Sequence, residues 1–264
     1  MTYNQLVKQI GLKRSFLCAG LDGDRAQMPP HLRKDPNALF AFNRELIDAT
    51  AEYVVAYKPN TAFYEVEGSS GWRQLSQTVA YIKENYPEIL IIADAKRGDI
   101  GHTAQRYARA FFEELNVDAV TLSPYMGADS LTPFLGYKEK WAIVLALTSN
   151  DSASDFEMQS LANGQPLFEV VIQKSALLGT KEQLMFVAGA TRPQALARFR
   201  QLIPDHFLLV PGVGAQGGNL EEVALYGMNP SCGLLVNVSR GMSAFRAKEI
   251  AQKMDLLLPN TLVC

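Results

Sequence analysis

Eight short apolar runs recur along the chain, and segments with a helical periodicity separate most of them. The runs are nearly continuously apolar rather than alternating, which is typical of strands buried on both faces of a parallel sheet. They cover residues 16–22, 53–60, 89–96, 118–125, 142–149, 184–191, 207–214 and 233–240.

The segments between these runs favour helices, because their apolar residues recur three and four positions apart. The clearest examples are residues 37–52, 73–86, 103–115, 193–203 and 243–258. Eight strand-then-helix units predict an α/β fold, a closed (β/α)8 TIM barrel, and the competing arrangement is a doubly wound open sheet. Since no linker or repeat divides the chain, we expect residues 1–264 to form a single barrel domain.

Composition and charge narrow the function classes. With 48 % hydrophobic and 20 % charged residues, the chain has the composition of a soluble globular protein. A formal net charge of −2 without a basic block gives no reason to expect nucleic acid or an anionic membrane as a partner. The N-terminal residues do not resemble a signal peptide, and no apolar window is long enough to span a membrane.

The cysteines and histidines point to a cytoplasmic protein without a metal site. The three cysteines, Cys18, Cys232 and Cys264, are scattered and odd in number, which favours a reducing compartment over a disulfide framework. No cluster of cysteine and histidine has the spacing of a structural zinc site.

Charged residues stand at the ends of the first three runs, and these ends meet on one rim of a barrel, where catalytic groups lie. Asp22 ends the first run, Lys58 lies in the second, and Asp94 and Lys96 end the third, with Asp99 in the following loop. Asp94 and Lys96 are two residues apart and therefore point to the same face of their strand. Opposite charges that neutralise one another tolerate partial burial. The alternative, surface charges that cap helices, does not explain why they gather at neighbouring strand ends.

A phosphate site is predicted by the glycine-rich stretch 211–218, which follows the seventh run and reads PGVGAQGG. Glycines allow backbone N–H groups to approach an anion, and the loops after strands seven and eight are the usual phosphate site of such barrels. Arg240 ends the eighth run and offers a guanidinium for two-point phosphate binding.

Together these residues resemble the orotidine 5′-phosphate decarboxylase family. The resemblance rests on an Asp-x-Lys-x-x-Asp motif at 94–99, a Tyr-Lys-Pro, a Gly-Leu-Asp and the glycine-rich loop, in the family's order from Asp22 to Arg240. Residues 93–108 and 148–150 are similar to the bacterial subgroup with longer chains. The resemblance implies a cofactor-independent enzyme that converts orotidine 5′-monophosphate to UMP in pyrimidine biosynthesis.

The resemblance also implies a role for each site residue. Lys96 is similar to the proton donor, Asp94 to the residue beside the departing carboxylate, and Lys58 and Asp99 complete an alternating charge array. In this family the second aspartate of the motif serves the partner subunit, which implies a homodimer with Asp99 and Thr103 acting across the interface. The substrate contacts implied are Asp22 and Lys58 for the ribose, Ser149 for the pyrimidine, and Gln216, Gly217, Gly218 and Arg240 for the phosphate.

One departure from the family's pattern lies in the longest predicted connection, residues 149–166, whose length is typical of an active-site lid or a binding loop. Asn150 is followed by Asp151 and Ser152, where the family often has Pro-Gly. The resemblance therefore does not supply the path of this loop.

Three other functions remain open on the residues. A sugar-phosphate decarboxylase or hexulose-phosphate synthase would share the Asp-x-Lys-x-x-Asp motif but would use a divalent metal. A Schiff-base aldolase would use Lys58 or Lys96 as a nucleophile. A non-catalytic nucleotide-binding protein would bind UMP without turnover.

Overall fold

The computed structural model describes residues 1–214, 217–259 and 262. Eight parallel strands pair in chain order, and the eighth pairs with the first to close a barrel. The strands are β1 Leu17–Gly20, β2 Ala56–Lys58, β3 Leu90–Arg97, β4 Ala119–Leu122, β5 Trp141–Leu147, β6 Leu184–Ala188, β7 Phe207–Pro211 and β8 Leu234–Val238. The predicted (β/α)8 barrel is confirmed, and the open sheet is excluded.

Helices precede the barrel and connect its strands. In the described part of the chain they are α1 Tyr3–Lys13, α2 Ala38–Thr50, α3 Ala62–Glu65, α4 Gly68–Asn85, α5 Gly101–Arg109, α6 Thr132–Leu135, α7 Leu167–Ala176, α8 Pro193–Leu202, α9 Leu220–Gly227 and α10 Ala244–Leu257. A π-helical turn, Ala110–Glu114, continues α5. No helix among these is both long and apolar enough to cross a membrane.

Helix α4 begins five residues before the predicted segment 73–86, and two glycines explain the difference. Gly68 starts the helix with a left-handed backbone (φ 60°). A Cβ atom at Gly71 would clash with the Tyr64 carbonyl oxygen of α3. Both glycines look like turn signals in the sequence, whereas one sets the entry angle of α4 and the other permits its close packing on α3.

The N-terminal end of the barrel is closed by aromatic residues. Trp141, at the start of β5, is fully buried, and its indole N–H donates to the Met1 carbonyl oxygen at 2.8 Å. The rings of Tyr3 and Phe207 pack against each other with their centroids 5.2 Å apart, and Trp141 lies 6.4 Å from Phe207. With this end filled, a ligand is expected at the opposite, C-terminal end, where strand-end loops carry function.

Candidate active site

A cleft of about 650 Å³ lies at the C-terminal ends of the strands. Four residues predicted from the sequence line it: Asp22, Lys58, Asp94 and Arg240. Asp22 and Arg240 follow β1 and β8, Lys58 ends β2, and Asp94 lies within β3; the end of β7 and the loop after it contribute residues 211–213 to the wall. The cleft therefore joins the predicted charge cluster to the predicted phosphate site.

An alternating row of charges is centred on Asp94, and two of its members, Lys58 and Asp94, line the cleft. Lys58 Nζ lies 2.8 Å from Asp94 Oδ2, and Lys96 Nζ lies 2.6 Å from Asp94 Oδ1. The side chains of Lys58 and Asp94 are only 6 % and 11 % exposed, whereas that of Lys96 is 50 % exposed. Lys58 is thus the fixed inner end of the row, and Lys96 is the end that faces the solvent.

Lys58 and Asp94 are both charged at neutral pH. Burial raises the pKa of Asp94, but attraction to Lys58 and Lys96 outweighs burial and holds that pKa well below its ordinary value. Burial lowers the pKa of Lys58, and attraction to Asp94 and Asp22 outweighs it, so that the net shift of the Lys58 pKa is upward.

The ends of the first two strands are held together by a residue that the sequence reasoning missed. The backbone N–H of Asn60 donates to Asp22 Oδ1 at 3.2 Å. Asn60 also forms an isolated bridge to Asp94, whose N–H donates to the Pro59 carbonyl oxygen at 2.9 Å. The sequence did hold a sign of this role: Asn60 directly follows Lys-Pro, and a polar residue at that strand end lies on the same rim as the predicted site.

Lys96 has a strained backbone within an irregular strand. Its φ of 47° lies in the left-handed region, which a non-glycine residue adopts only when its surroundings hold it there. The pairing of β3 with β4 shifts between Ala93 and Arg97, so Lys96 falls in a bulge. Thr121 of β4, also missed from the sequence, contacts both Lys96 and Asp94 from the facing strand.

Asp99 and Thr103 do not join the charge row of their own chain. Among the described residues, Asp99 forms no ion pair with either lysine; its carboxylate accepts a hydrogen bond from the Ile100 N–H at 2.8 Å. Thr103 is exposed on α5. The neighbour of Asp99 in the chain, Ile100, is an exposed apolar residue, and so are Tyr125 and Met126 in the loop after β4. The role of Asp99 and Thr103 stays a prediction.

The glycine-rich loop after β7 is closed by its own hydrogen bonds. Gly217 has a φ of 86° and donates its N–H to the Gly214 carbonyl oxygen at 2.9 Å. The N–H of Gly218 donates to the Gly212 carbonyl oxygen at 3.0 Å. A phosphate held by these two N–H groups would replace bonds inside the loop. Gln216 lies outside the described residues.

Close packing explains glycine at 218 independently of any ligand. A Cβ atom there would lie 2.6 Å from Ala190 Cβ and 2.8 Å from the Gly212 carbonyl oxygen. Arg240 follows the end of β8 and is exposed on the rim of the cleft. Together they place a compact loop and a cation on one side of the cleft.

The loop after β5 is tied to the barrel at its base. Glu157 accepts hydrogen bonds from the Thr148 backbone N–H at 2.7 Å and from the Thr148 hydroxyl at 2.9 Å. Arg192 donates to the Thr148 carbonyl oxygen at 3.1 Å, and the Thr191 hydroxyl donates to the Ser149 carbonyl oxygen at 3.0 Å. The segment before the departure from the family's pattern is therefore fixed, and the unusual residues fold into a short 3₁₀ turn, Asp151–Asp155.

Side chains suited to metal binding or to thiol chemistry are not gathered in the site. In the described part of the chain, no group of three or more His, Cys, Asp or Glu residues could hold a metal ion. Cys18, on β1 next to the cleft, is fully buried, and burial raises its pKa to about 12. Its thiol therefore stays protonated at neutral pH and serves as a small apolar group.

Comparison with known sequences shows the family of this chain. The orotidine 5′-phosphate decarboxylase / HUMPS family matches residues 15–249. Orotidine 5′-phosphate decarboxylase of Bacteroides fragilis is 57 % identical over 242 residues, which are 92 % of this chain and 88 % of that protein.

Two solved structures from Leishmania donovani show the same likeness in three dimensions. The OMP decarboxylase superposes with a TM-score of 0.86 at 36 % identity, covering 97 % of this chain and 99 % of that chain. The UMP synthase superposes with a TM-score of 0.87 at 38 % identity and covers 97 % of this chain. The present chain spans only 56 % of that longer UMP synthase chain.

Proposed function

Since the chain belongs to the orotidine 5′-phosphate decarboxylase / HUMPS family, we propose that it decarboxylates orotidine 5′-monophosphate to UMP and CO2, the last step of pyrimidine nucleotide synthesis. The observation that carries this proposal is the row Lys58–Asp94–Lys96, of which Lys58 and Asp94 line the cleft. A buried carboxylate between two ammonium groups suits a reaction in which a substrate carboxylate leaves and negative charge appears on carbon.

The chemical step breaks the bond between C6 of the pyrimidine and the carboxylate carbon. The electron pair remains on C6 in the plane of the ring, where the π system delocalises it poorly. The Lys96 ammonium stabilises this charge and then donates a proton to C6, and water returns the proton to the lysine. Asp94 holds Lys96 in place and repels the substrate carboxylate, which disfavours the ground state more than the carbanion.

Binding energy for the reaction comes from parts of the substrate distant from C6. Asp22 and Lys58 bind the ribose hydroxyls, and Ser149 binds the edge of the pyrimidine. Arg240, Gln216 and the loop at Gly217 and Gly218 bind the phosphate. For Asp22, Lys58 and Arg240 the assignment is supported by the cleft, which all three residues line.

The proposal includes a homodimer in which Asp99 and Thr103 of one subunit complete the site of the other. It is supported by their position outside the charge row of their own chain and by the exposed apolar side chain of Ile100, next to Asp99. A cytoplasmic location is part of the same proposal, and free, buried thiols at Cys18 and Cys232 agree with it.

The deciding experiment incubates the purified protein with orotidine 5′-monophosphate and excess EDTA and follows the loss of the orotate absorbance. Conversion to UMP at an undiminished rate supports a decarboxylase that needs no metal. Activity lost with EDTA and restored by a divalent cation would point to a metal-dependent relative. UMP binding without conversion would point to a nucleotide-binding protein, and trapping of a carbonyl substrate by borohydride would point to an aldolase.

A further inference from the structure

The bulge at the end of β3 removes the ordinary backbone partner of Lys96. Ala93 pairs with Val120, and Arg97 pairs with Leu122. Three residues of β3 therefore lie between these two pairs, opposite a single residue of β4. A bulge leaves its extra residues without ladder hydrogen bonds and re-aims their side chains. A buried backbone N–H in such a position needs another acceptor.

The side chain of Thr121 supplies that acceptor. The Lys96 backbone N–H donates to Thr121 Oγ1 at 2.9 Å, and Thr121 Oγ1 donates to Asp94 Oδ1 at 3.0 Å. Thr121 is 1 % exposed and lies on β4 between the two residues that pair with the ends of the bulge. One buried hydroxyl therefore connects the backbone of one charged residue to the carboxylate of the other.

The direction of both hydrogen bonds is fixed by chemistry. A backbone N–H can only donate, so the hydroxyl must accept from Lys96. The Asp94 carboxylate is ionised and can only accept, so the single hydroxyl proton must point to it. With Lys96 Nζ on Oδ1 and Lys58 Nζ on Oδ2, every polar group of the cluster then has a partner.

We propose that Thr121 is a positioning residue for the proton donor: its hydroxyl holds the left-handed backbone of Lys96 and the orientation of Asp94, and so sets where the Lys96 ammonium lies. This inference rests on the proposed function, because it assigns Thr121 to the same reaction. The hydroxyl does not itself contact the substrate or transfer a proton. Its contribution is expected in the rate of the chemical step rather than in nucleotide binding.

The test compares Thr121→Val, which keeps the shape and loses both hydrogen bonds, with Thr121→Ser, which keeps the hydroxyl. We expect kcat of Thr121→Val to fall about 10- to 100-fold, the range for a hydrogen bond to a charged group, with the Kd for UMP within about threefold of wild type. Thr121→Ser should stay within about threefold of wild type in both. Equal losses in Val and Ser variants, or a loss confined to UMP affinity, would overturn the assignment.

Thr78→Val is the matched control for loss of a buried hydroxyl. Thr78 is fully buried in α4; its hydroxyl donates to the Gln74 carbonyl oxygen at 2.8 Å and accepts from Asn43 at 3.1 Å. It bridges a donor and an acceptor as Thr121 does, but away from the charge row. Thr78→Val should lower the melting temperature and leave kcat unchanged. A matching fall in kcat would show that lost stability accounts for the effect at Thr121.

A second measurement does not depend on turnover. Amide hydrogen exchange at Lys96 in the ligand-free protein should be at least about tenfold faster in Thr121→Val than in wild type or Thr121→Ser, because the N–H loses its acceptor. Unchanged exchange would refute the positioning role. If wild type itself does not convert orotidine 5′-monophosphate, the proposed function fails and exchange alone decides whether Thr121 holds Lys96. If the Val variant does not fold, Thr121→Ala against Thr121→Ser gives the same comparison.

Discussion

The buried pair of Lys58 and Asp94 makes a quantitative prediction for Asp94→Asn. The substitution keeps the size of the side chain and removes the charge that faces Lys58, whose side chain is 6 % exposed. Breaking a buried ion pair by removing one partner costs about 3–5 kcal/mol, because the remaining charge stays buried without compensation. The amide oxygen still accepts one hydrogen bond, and half-exposed Lys96 contributes no more than about 1 kcal/mol. We therefore expect the free energy of unfolding to fall by about 3 kcal/mol.

The contributions of Asp94 and Lys58 to the free energy of unfolding change with pH in opposite directions. The pKa of Asp94 is lowered in the folded state, so its stabilisation is fully present above the unfolded value of about 4 and is lost as the pH falls through the folded pKa. The pKa of Lys58 is raised, so its stabilisation is present below the unfolded value of about 10.4 and is lost as the pH rises through the folded pKa. The difference between wild type and Asp94→Asn should be constant between about pH 5 and pH 7 and should narrow below about pH 4. It should narrow again at alkaline pH, because burial without Asp94 lowers the pKa of Lys58 in the variant and lets Lys58 lose its proton.

Urea unfolding followed by circular dichroism measures this difference at each pH. Glu249→Gln is the control, because it removes the same charge from an exposed pair: Glu249 and Lys253 lie 3.0 Å apart, with side chains about half exposed. That variant should cost no more than about 0.5 kcal/mol. If Asp94→Asn costs as little as Glu249→Gln, Lys58 is solvated rather than buried against Asp94, and the reasoning fails.

Three further predictions concern turnover, phosphate binding and acid stability. Lys96→Ala should lower kcat at least about 1,000-fold while UMP still binds, and substantial residual turnover would refute Lys96 as the proton donor. Arg240→Ala should weaken UMP binding about 10- to 100-fold by calorimetry and leave uridine binding unchanged; equal loss for both ligands would contradict phosphate binding. Burial, with Arg200 nearby, lowers the pKa of His206 from 6.5 to about 4. As the pH falls from about 6.5 to 4, the unfolded state takes up a proton at His206, and wild type should therefore lose up to roughly 3 kcal/mol of its free energy of unfolding. His206→Phe should not show this loss, which unfolding measurements across this pH range will test.

The barrel could be predicted because a strand buried on both faces of a sheet appears in the sequence as a nearly continuous apolar run. Each strand of the closed sheet lies within or next to one of the eight apolar runs, but most runs extend past the strand ends. The second run covers residues 53–60, whereas β2 is only Ala56–Lys58. The excess arises because rim residues such as Asn60 leave the sheet to bind neighbouring strand ends. Helices of one or two turns, Thr132–Leu135 and Leu220–Gly227, are too short to show a clear period.

The charge row could be predicted in part. Asp94 and Lys96 do lie together, as predicted, and the strand-end rule added Lys58. The regular alternation behind the first prediction does not hold, because the bulge interrupts β3 at Lys96. The bulge that strains Lys96 could not be seen, because it depends on the register of β3 against β4. Glu157 was missed for the same kind of reason, since only the folded loop brings it to the backbone of Thr148. Thr121 did leave a signal: it is the one polar residue within the strand Ala119–Leu122.

The two aspartates of the motif at residues 94–99 have different surroundings. Asp94 lines the cleft and holds Lys96 in an ion pair, whereas the Asp99 carboxylate accepts a hydrogen bond from the Ile100 N–H and pairs with neither lysine. The side chain of Ile100, next to Asp99, is apolar and half exposed, and other apolar side chains that an interface could cover, such as Tyr125, are exposed as well. In the proposed homodimer, contact with a second copy would cover those apolar side chains. It would also add the Asp99 carboxylate of one subunit to the row Lys58–Asp94–Lys96 of the other. The different surroundings of the two aspartates thus support the proposal of a shared site. The test mixes Asp99→Ala subunits with Lys96→Ala subunits, neither of which should be active alone. In a mixed dimer, one site combines the intact Lys96 of the first subunit with the intact Asp99 of the second, and we expect that site to regain activity.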